Sequence, residues 1–347
     1  MYYETLKALA EKYDRTPKEY AFRAETQEEH KIWQAAARKR LWEITGLNDC
    51  EKVEANPKKL QSWRMEGYER EYWLMSTEPG VQMPYYLLRP DSPNGSAVLA
   101  LHGHGGGKET MIGDQSKPNV AAHAEWFGSP TLAEELVQEG YIVVCPDERG
   151  SGERREIFQQ GDTAGDWSGS SHRELEQIAL SFGQSMVGLA VWDFMRLVDV
   201  IEQMPEVDEG RIACAGFSGG GQMTLWLAAL DDRVRVAVSG GYFYGMRDSL
   251  LLMANNCACN YVPFLWKTMD MGDLGALVAP RPLLLENGET DPLNGHRGLE
   301  NVYEQLEITK KAYALYGKEE HVIHRSHPGG HEWRRLGVKE FLAKELR

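Results

Sequence analysis

Gly216-Phe217-Ser218-Gly219-Gly220 is the strongest chemical signal in this 347-residue sequence. The apolar run RIACA before it reads as a strand and GQMTLWLAAL after it as a helix, so the serine occupies a G-x-S-x-G turn from strand into helix. A turn this tight has no room for a Cβ at its flanks, and it strains the serine so that Oγ projects above the strand ends. A hydroxyl held this way suits attack on a carbonyl carbon, provided that a base takes its proton and donors receive the oxyanion.

Both requirements find candidates. Asp291 lies in RPLLLENGETDP after an apolar strand, and His331 lies in HPGGHEW before the last helix. The chain order is therefore Ser, Asp, His, with His331 as general base and Asp291 as the carboxylate that orients it. Glu286 and Glu289 are nearby alternatives for the acid, Glu289 the more serious. The stretch EEHVIHRSHPGGHEW also offers His321, His324 and His327. Only His331, after Gly329-Gly330 and just before a helix, meets the demand for a loop that reaches over the sheet, with His327 as runner-up.

Oxyanion donors are a task for backbone N–H groups, and LALHGHGGGKE supplies a glycine-rich loop after an apolar strand. One donor is expected from Gly219, at the helix start where the dipole favours negative charge, and the second from His104 or Gly105. The loop is no phosphate cradle, because His102 stands where the first glycine of that motif belongs and Glu109 follows Lys108. His102 and His104 alternate along a strand end and point to opposite sides, so they do not share a metal. Cys257-Ala258-Cys259 lacks the C-x-x-C spacing of a zinc knuckle, and Cys145 and Cys214 sit in strand-like runs as buried thiols. The sequence reading therefore assigns no metal, and acyl transfer by serine needs no cofactor.

These groups need a scaffold. From residue 96 onward apolar strands alternate with helical segments, the signature of a parallel sheet covered on both faces. The expected strands are SAVLALHG, YIVVCPD, RIACAGFS, VRVAVSGG, RPLLLENG and KKAYALYG. The intervening helices include SPTLAEELVQEG, VGLAVWDFMRLVDVIEQM and GLENVYEQL, and EWRRLGVKEFLAKEL closes the chain. Residues 1–61 read as an N-terminal helical extension, and 62–347 as the catalytic domain, opening with a hairpin of SWRMEGYEREYWLM and VQMPYYLLR. Two stretches without clear period, 151–185 and 242–275, read as insertions that wall a pocket. Their aromatics Trp167, Tyr242, Tyr244, Tyr261 and Trp266, with Trp126, are candidates for an apolar or sugar-stacking wall.

The set LHGHGG, PDERGSGER, PEVDEGRIACAGFSGGG, NNCACNYVP, APRPLLLENGETDP and GGHEW resembles the bacterial acetyl-xylan-esterase-like and dienelactone-hydrolase-like branch of the α/β-hydrolases over about residues 62–347. The resemblance implies the α/β-hydrolase fold, a Ser218, Asp291 and His331 triad with Gly219 as an oxyanion donor, and a bracing role for Arg149 around the nucleophile loops. It also implies hydrolysis of an ester with a small acyl group, such as acetyl. The elbow holds serine where dienelactone hydrolases proper use cysteine, and Arg149-Gly150-Ser151-Gly152 stands where carbohydrate deacetylases show R-G-Q-G. A peptidase of prolyl-oligopeptidase type shares the elbow layout, and a ligand-binding scaffold without chemistry is a third reading.

A formal net charge of −14 disfavours nucleic acid and anionic membrane as partners, since a polyanion would be repelled. A small-molecule ester is the expected partner. The N-terminus carries charges throughout and no apolar h-region, and no run reaches membrane-spanning length, so a cytoplasmic protein is expected. Nothing in the sequence fixes the oligomeric state.

Overall fold

The computed structural model describes residues 3–122, 131–254 and 256–346. Nine strands form one sheet in the order β1-β2-β3-β5-β4-β6-β7-β8-β9. They are β1 Lys58–Arg64, β2 Tyr68–Glu78, β3 Val81–Pro90, β4 Ala97–Leu101, β5 Ile142–Pro146, β6 Ile212–Phe217, β7 Val234–Gly240, β8 Leu283–Gly288 and β9 Val322–His327. From β5 to β9 across the sheet all pairs are parallel, while β1, β2, β3 and β5 pair antiparallel. The sheet thus begins with an antiparallel edge and continues as a parallel fan.

Strand alternation splits the core into two faces. Ala97, Leu99 and Leu101 of β4 and Cys214 of β6 pack with the helices Met186–Ile201, Gly219–Leu230 and Met271–Val278. Val98 and Ala100, with Ala213 and Ala215, face the helices Leu132–Gln138 and Val338–Glu345. Each large side chain buried here contributes about 1.5–3 kcal/mol, which makes the two layers rigid supports for the strand ends. Those ends matter because every parallel strand from β4 to β9 points its C-terminus to the same edge.

Several expected boundaries move. The segment SWRMEGYEREYWLM is two strands, β1 and β2, because Gly67 at φ +81° turns the chain between them. Residues 310–317, expected as a strand, belong mostly to the helix Leu299–Ala314. Its buried positions Val302, Gln305, Leu306, Thr309, Ala312 and Tyr313 keep helical spacing, which outweighs the strand propensity of AYALY. The strand beside β8 is instead β9, so His324 and His327 lie within it. The closing helix starts at Val338 rather than near Glu332, and residues 129–130 of the helix expected at 129–140 lie outside the described residues.

Among the described residues before β1, helix is confined to Leu6–Arg15, Gln27–Thr45 and a short turn at Leu47–Asp49. The second helix is joined to the main core: Ala37, Leu41 and Ile44 pack into it. His30, fully buried, bonds the Tyr316 hydroxyl at 2.9 Å and the Ala276 carbonyl at 3.0 Å. Among the described residues no single helix is long and apolar enough to cross a membrane.

Candidate active site

β6 ends at Phe217 and the helix Gly219–Leu230 begins two residues later, leaving Ser218 alone in the turn. Its φ of +57° and ψ of −117° form a conformation that costs a non-glycine residue about 1–3 kcal/mol. The surrounding backbone enforces it, with Ser218 N–H donating to the Gly240 carbonyl at 2.8 Å. Glycines are required beside it: a β-carbon at Gly216 would collide with the Gly220 backbone, and one at Gly220 with the Leu101 carbonyl.

The sequence-predicted trio comes together at this turn. His331 Nε2 stands 2.8 Å from Ser218 Oγ, and His331 Nδ1 stands 2.7 Å from Asp291 Oδ2. Asp291 is 3% exposed, and its other oxygen accepts the Leu293 N–H at 2.8 Å, so the carboxylate is fixed before it meets the ring. A carboxylate only accepts, so Nδ1 carries the hydrogen and the Nε2 lone pair faces the serine hydroxyl. Such a relay can take the Oγ proton as Oγ attacks an electrophilic carbon.

The rival residues are engaged elsewhere. Glu289 accepts from Ser326 Oγ at 3.2 Å. Buried Glu286 accepts the Arg334 and Leu336 N–H groups, each at 2.7 Å, and burial raises its pKa. Glu286 thereby staples the segment that follows His331 and holds its loop over the sheet. His321 Nδ1 faces the Pro280 carbonyl, His324 Nε2 the Asn287 side-chain oxygen, and His327 Nε2 the Glu332 carbonyl.

On the oxyanion side, Gly219 faces His104: a β-carbon at Gly219 would stand 3.0 Å from the His104 backbone N and 3.1 Å from its Nδ1. Among the described residues neither the Gly219 nor the His104 N–H has an acceptor. Unpaired backbone donors beside a nucleophile can receive a developing negative charge. Gly105, the other expected donor, has φ +78°, a β-carbon there would stand 3.5 Å from the Ser168 carbonyl oxygen, and its N–H likewise has no acceptor among the described residues. His102 shapes the loop: Nε2 accepts the Glu148 N–H at 3.1 Å, so Nδ1–H donates to the Gly103 carbonyl at 3.0 Å.

Arg149 lies farther out. It makes a two-pronged bond to Asp193, both contacts 2.7 Å, and reaches Glu78 at 2.6 Å. Burial opposes its charge, yet these carboxylates raise its pKa, while Asp193 is held at about 2 against its own burial by Arg149 and Arg154. Arg149 therefore clamps the turn after β5 to the helix Met186–Ile201 and touches none of Ser218, Asp291 or His331.

Sequence reading missed the aromatic lining. The Phe217 ring lies 4.7 Å from the His331 ring, and Trp333 stacks on Phe217 at 6.0 Å. Adjacency to the elbow serine and to His331 was the available signal. Of the expected wall, Tyr242 and Tyr244 are buried in the core, Trp167 lies under Arg155, and Tyr261 and Trp266 pack near Tyr13. Trp126 lies outside the described residues. The fold also gathers Cys257 and Cys259 with His104 and His172, a grouping that the Cys-x-Cys spacing does not reveal.

A strained serine on a strand-to-helix elbow, in a mostly parallel sheet covered by helices, defines an α/β-hydrolase. The chain belongs to the Abhydrolase family, whose model matches residues 5–331. It is 28% identical to "Putative hydrolase YtaP" of Bacillus subtilis over 281 residues, covering 78% of this chain and 86% of that one. It is 24% identical over 162 residues to Dipeptidyl-peptidase 5 of Porphyromonas gingivalis, a match spanning 46% of this chain and 19% of that protein. Among solved structures, a "putative acetyl xylan esterase" from Bacteroides fragilis superposes with a TM-score of 0.82 at 21% identity, covering 99% and 95% of the two chains. A glucuronoyl esterase from Solibacter usitatus superposes with a TM-score of 0.65 at 16% identity, covering 91% and 93%.

Proposed function

We propose that this chain hydrolyses carboxylic esters with a small acyl group, acetyl foremost, carried on a carbohydrate alcohol. The observation that carries the chemistry is the relay from Asp291 through His331 to Ser218, with contacts of 2.7 and 2.8 Å, beside the Gly219 and His104 N–H groups, which have no acceptor among the described residues. His331 Nε2 takes the Ser218 proton as Oγ attacks the ester carbonyl, and the Gly219 and His104 N–H groups hold the oxyanion. Asp291 stabilises the imidazolium, which then gives its proton to the leaving alcohol. Water, deprotonated by the same ring, attacks the acyl-enzyme and releases the acid. The acyl and alcohol preferences draw support from the esterases with the same fold, and the match to a dipeptidyl-peptidase keeps a peptidase as the second reading.

A panel of p-nitrophenyl esters of graded acyl length, an acetylated xylo-oligosaccharide and a peptide anilide tests this reading. Turnover is expected to be greatest on acetyl esters and to release acetate from the oligosaccharide. Turnover of the anilide alone would establish the peptidase, and failure of a fluorophosphonate to label Ser218 would remove the catalytic reading altogether.

A further inference from the structure

Four side chains with metal-ligand chemistry meet beside the elbow, although they come from three separate segments. His104 follows β4, His172 opens the helix His172–Ser181 in the first insertion, and Cys257 and Cys259 lie in the second. Their ligand atoms all lie within 4.8 Å of one another. His104 Nε2 is 3.2 Å from Cys259 Sγ, and His172 Nδ1 is 3.3 Å from Cys257 Sγ. The two imidazoles meet edge to face with centroids 5.5 Å apart. Tetrahedral zinc, with nitrogen at about 2.0–2.1 Å and sulfur at about 2.3 Å, spaces adjacent N and S ligands by about 3.5 Å. The His104–Cys259 and His172–Cys257 edges need a few tenths of an ångström of opening to match this spacing, and no other edge of the cluster exceeds 4.8 Å.

We propose that His104, His172, Cys257 and Cys259 bind one divalent zinc-type ion in a closed tetrahedral site that fixes the loop carrying the His104 N–H. Two thiolates and two neutral imidazoles form the donor set that borderline-soft Zn²⁺ prefers, and the thiolates cancel its charge in a partly buried place. Binding through Nδ1 places the remaining His172 hydrogen on Nε2. That atom stands 3.2 Å from Ser151 Oγ and 3.6 Å from Glu148 Oε1. Glu148 is 3% exposed, and its buried Oε1 has no hydrogen-bond partner among the described residues. A carboxylate behind a ligating histidine is the arrangement that orients and strengthens such a ligand. A hydrogen bond from Cys259, and then the facing His104 and His172, hold the Cys257 thiol well below its ordinary pKa, while burial pushes Cys259 up. Metal loading converts both to thiolates and releases the remaining protons to solvent.

With four protein ligands the ion keeps no open position, so its role is to position rather than to react. It ties the two insertions to each other and to the peptide that faces Gly219. The proposal stands on the cluster geometry and does not rest on the esterase reading.

Metal content of full-length protein purified without chelator tests it, by mass spectrometry of the elements, together with the absorption spectrum after exchange with Co²⁺. One zinc per chain is expected, with thiolate-to-cobalt charge transfer and the visible bands of tetrahedral cobalt. His172→Gln and Cys257→Ser should lose the ion, and Ser218→Ala should keep it. Glu148→Gln should weaken zinc binding about 10–100-fold in competition with a chromophoric chelator. Wild-type protein that stays metal-free after incubation with excess Zn²⁺ or Co²⁺, or a folded Cys257→Ser variant that retains a full equivalent, would overturn the site. The wild-type arms are informative even where a variant fails to fold.

Discussion

Asp291→Asn separates orientation of the base from every other role of this loop. In the native protein one Asp291 oxygen accepts the Leu293 N–H at 2.8 Å and the other accepts His331 Nδ1–H at 2.7 Å. Asparagine has a single oxygen to offer. Keeping it on Leu293 satisfies that half-buried donor and points the amide NH₂ at His331; the opposite orientation leaves the Leu293 N–H unpaired at a cost of about 1 kcal/mol. The first arrangement wins, and it forces Nδ1 to accept. Nε2 then carries the hydrogen toward Ser218 and cannot take its proton. The same substitution in the serine-protease triad costs on the order of 10⁴ in kcat, equivalent to about 5.5 kcal/mol. We expect that loss here in turnover of p-nitrophenyl acetate, with the denaturant midpoint nearly unchanged. Glu289→Gln, on the exposed side of the loop, should stay within about 0.5 kcal/mol of wild type in both measurements. An Asp291→Asn enzyme within about tenfold of wild type, or a crippled Glu289→Gln, would refute the reasoning about the tautomer.

Ser218→Gly should abolish turnover and raise unfolding free energy by about 1 kcal/mol, because glycine adopts φ +57° without strain; a lowered denaturant midpoint would contradict the strain. His331→Ala should remove esterase activity in the same assay, while His321→Ala and His324→Ala keep a substantial fraction, their rings being bonded to Pro280 and Asn287 away from the serine; an active His331→Ala enzyme would displace the base. Burial lowers the His324 pKa from its ordinary 6.5 to about 4, so between these values the unfolded chain binds the proton that the folded chain refuses. Stability should therefore fall as pH drops through this window, by at most about 3 kcal/mol from this group. His324→Gln should flatten that part of the stability curve, and an unchanged slope would show that other groups carry it.

The residues of the relay were legible because elbow geometry is written in short-range spacing. Gly216, Ser218 and Gly220 must be adjacent, and Asp291 and His331 each follow a strand or loop that turns at the same edge. β9 was hidden because HVIHRSH is polar and histidine-rich, while the neighbouring AYALY looks more apolar yet continues a helix on its buried face. The aromatic pair Phe217 and Trp333 was hidden for another reason, since stacking between residues so far apart leaves no periodic trace. The gathering of His104, His172, Cys257 and Cys259 was invisible for the same cause. A ligand set drawn from three segments has no spacing to recognise, and only the folded sheet brings them together.

The Ser218 to His331 contact spans 113 residues, and between those positions the chain must complete β7, β8 and β9. Glu286 on β8 receives the backbone of residues 334–336, so the clip that holds the base joins β8 to a segment that lies beyond β9 in the chain. The nucleophile is thus built early in chain order and armed late. A chain cleaved just before β9 would carry a strained but inert serine, and activity regained on adding the missing piece would report docking of β9 together with the His331 loop and the closing helix.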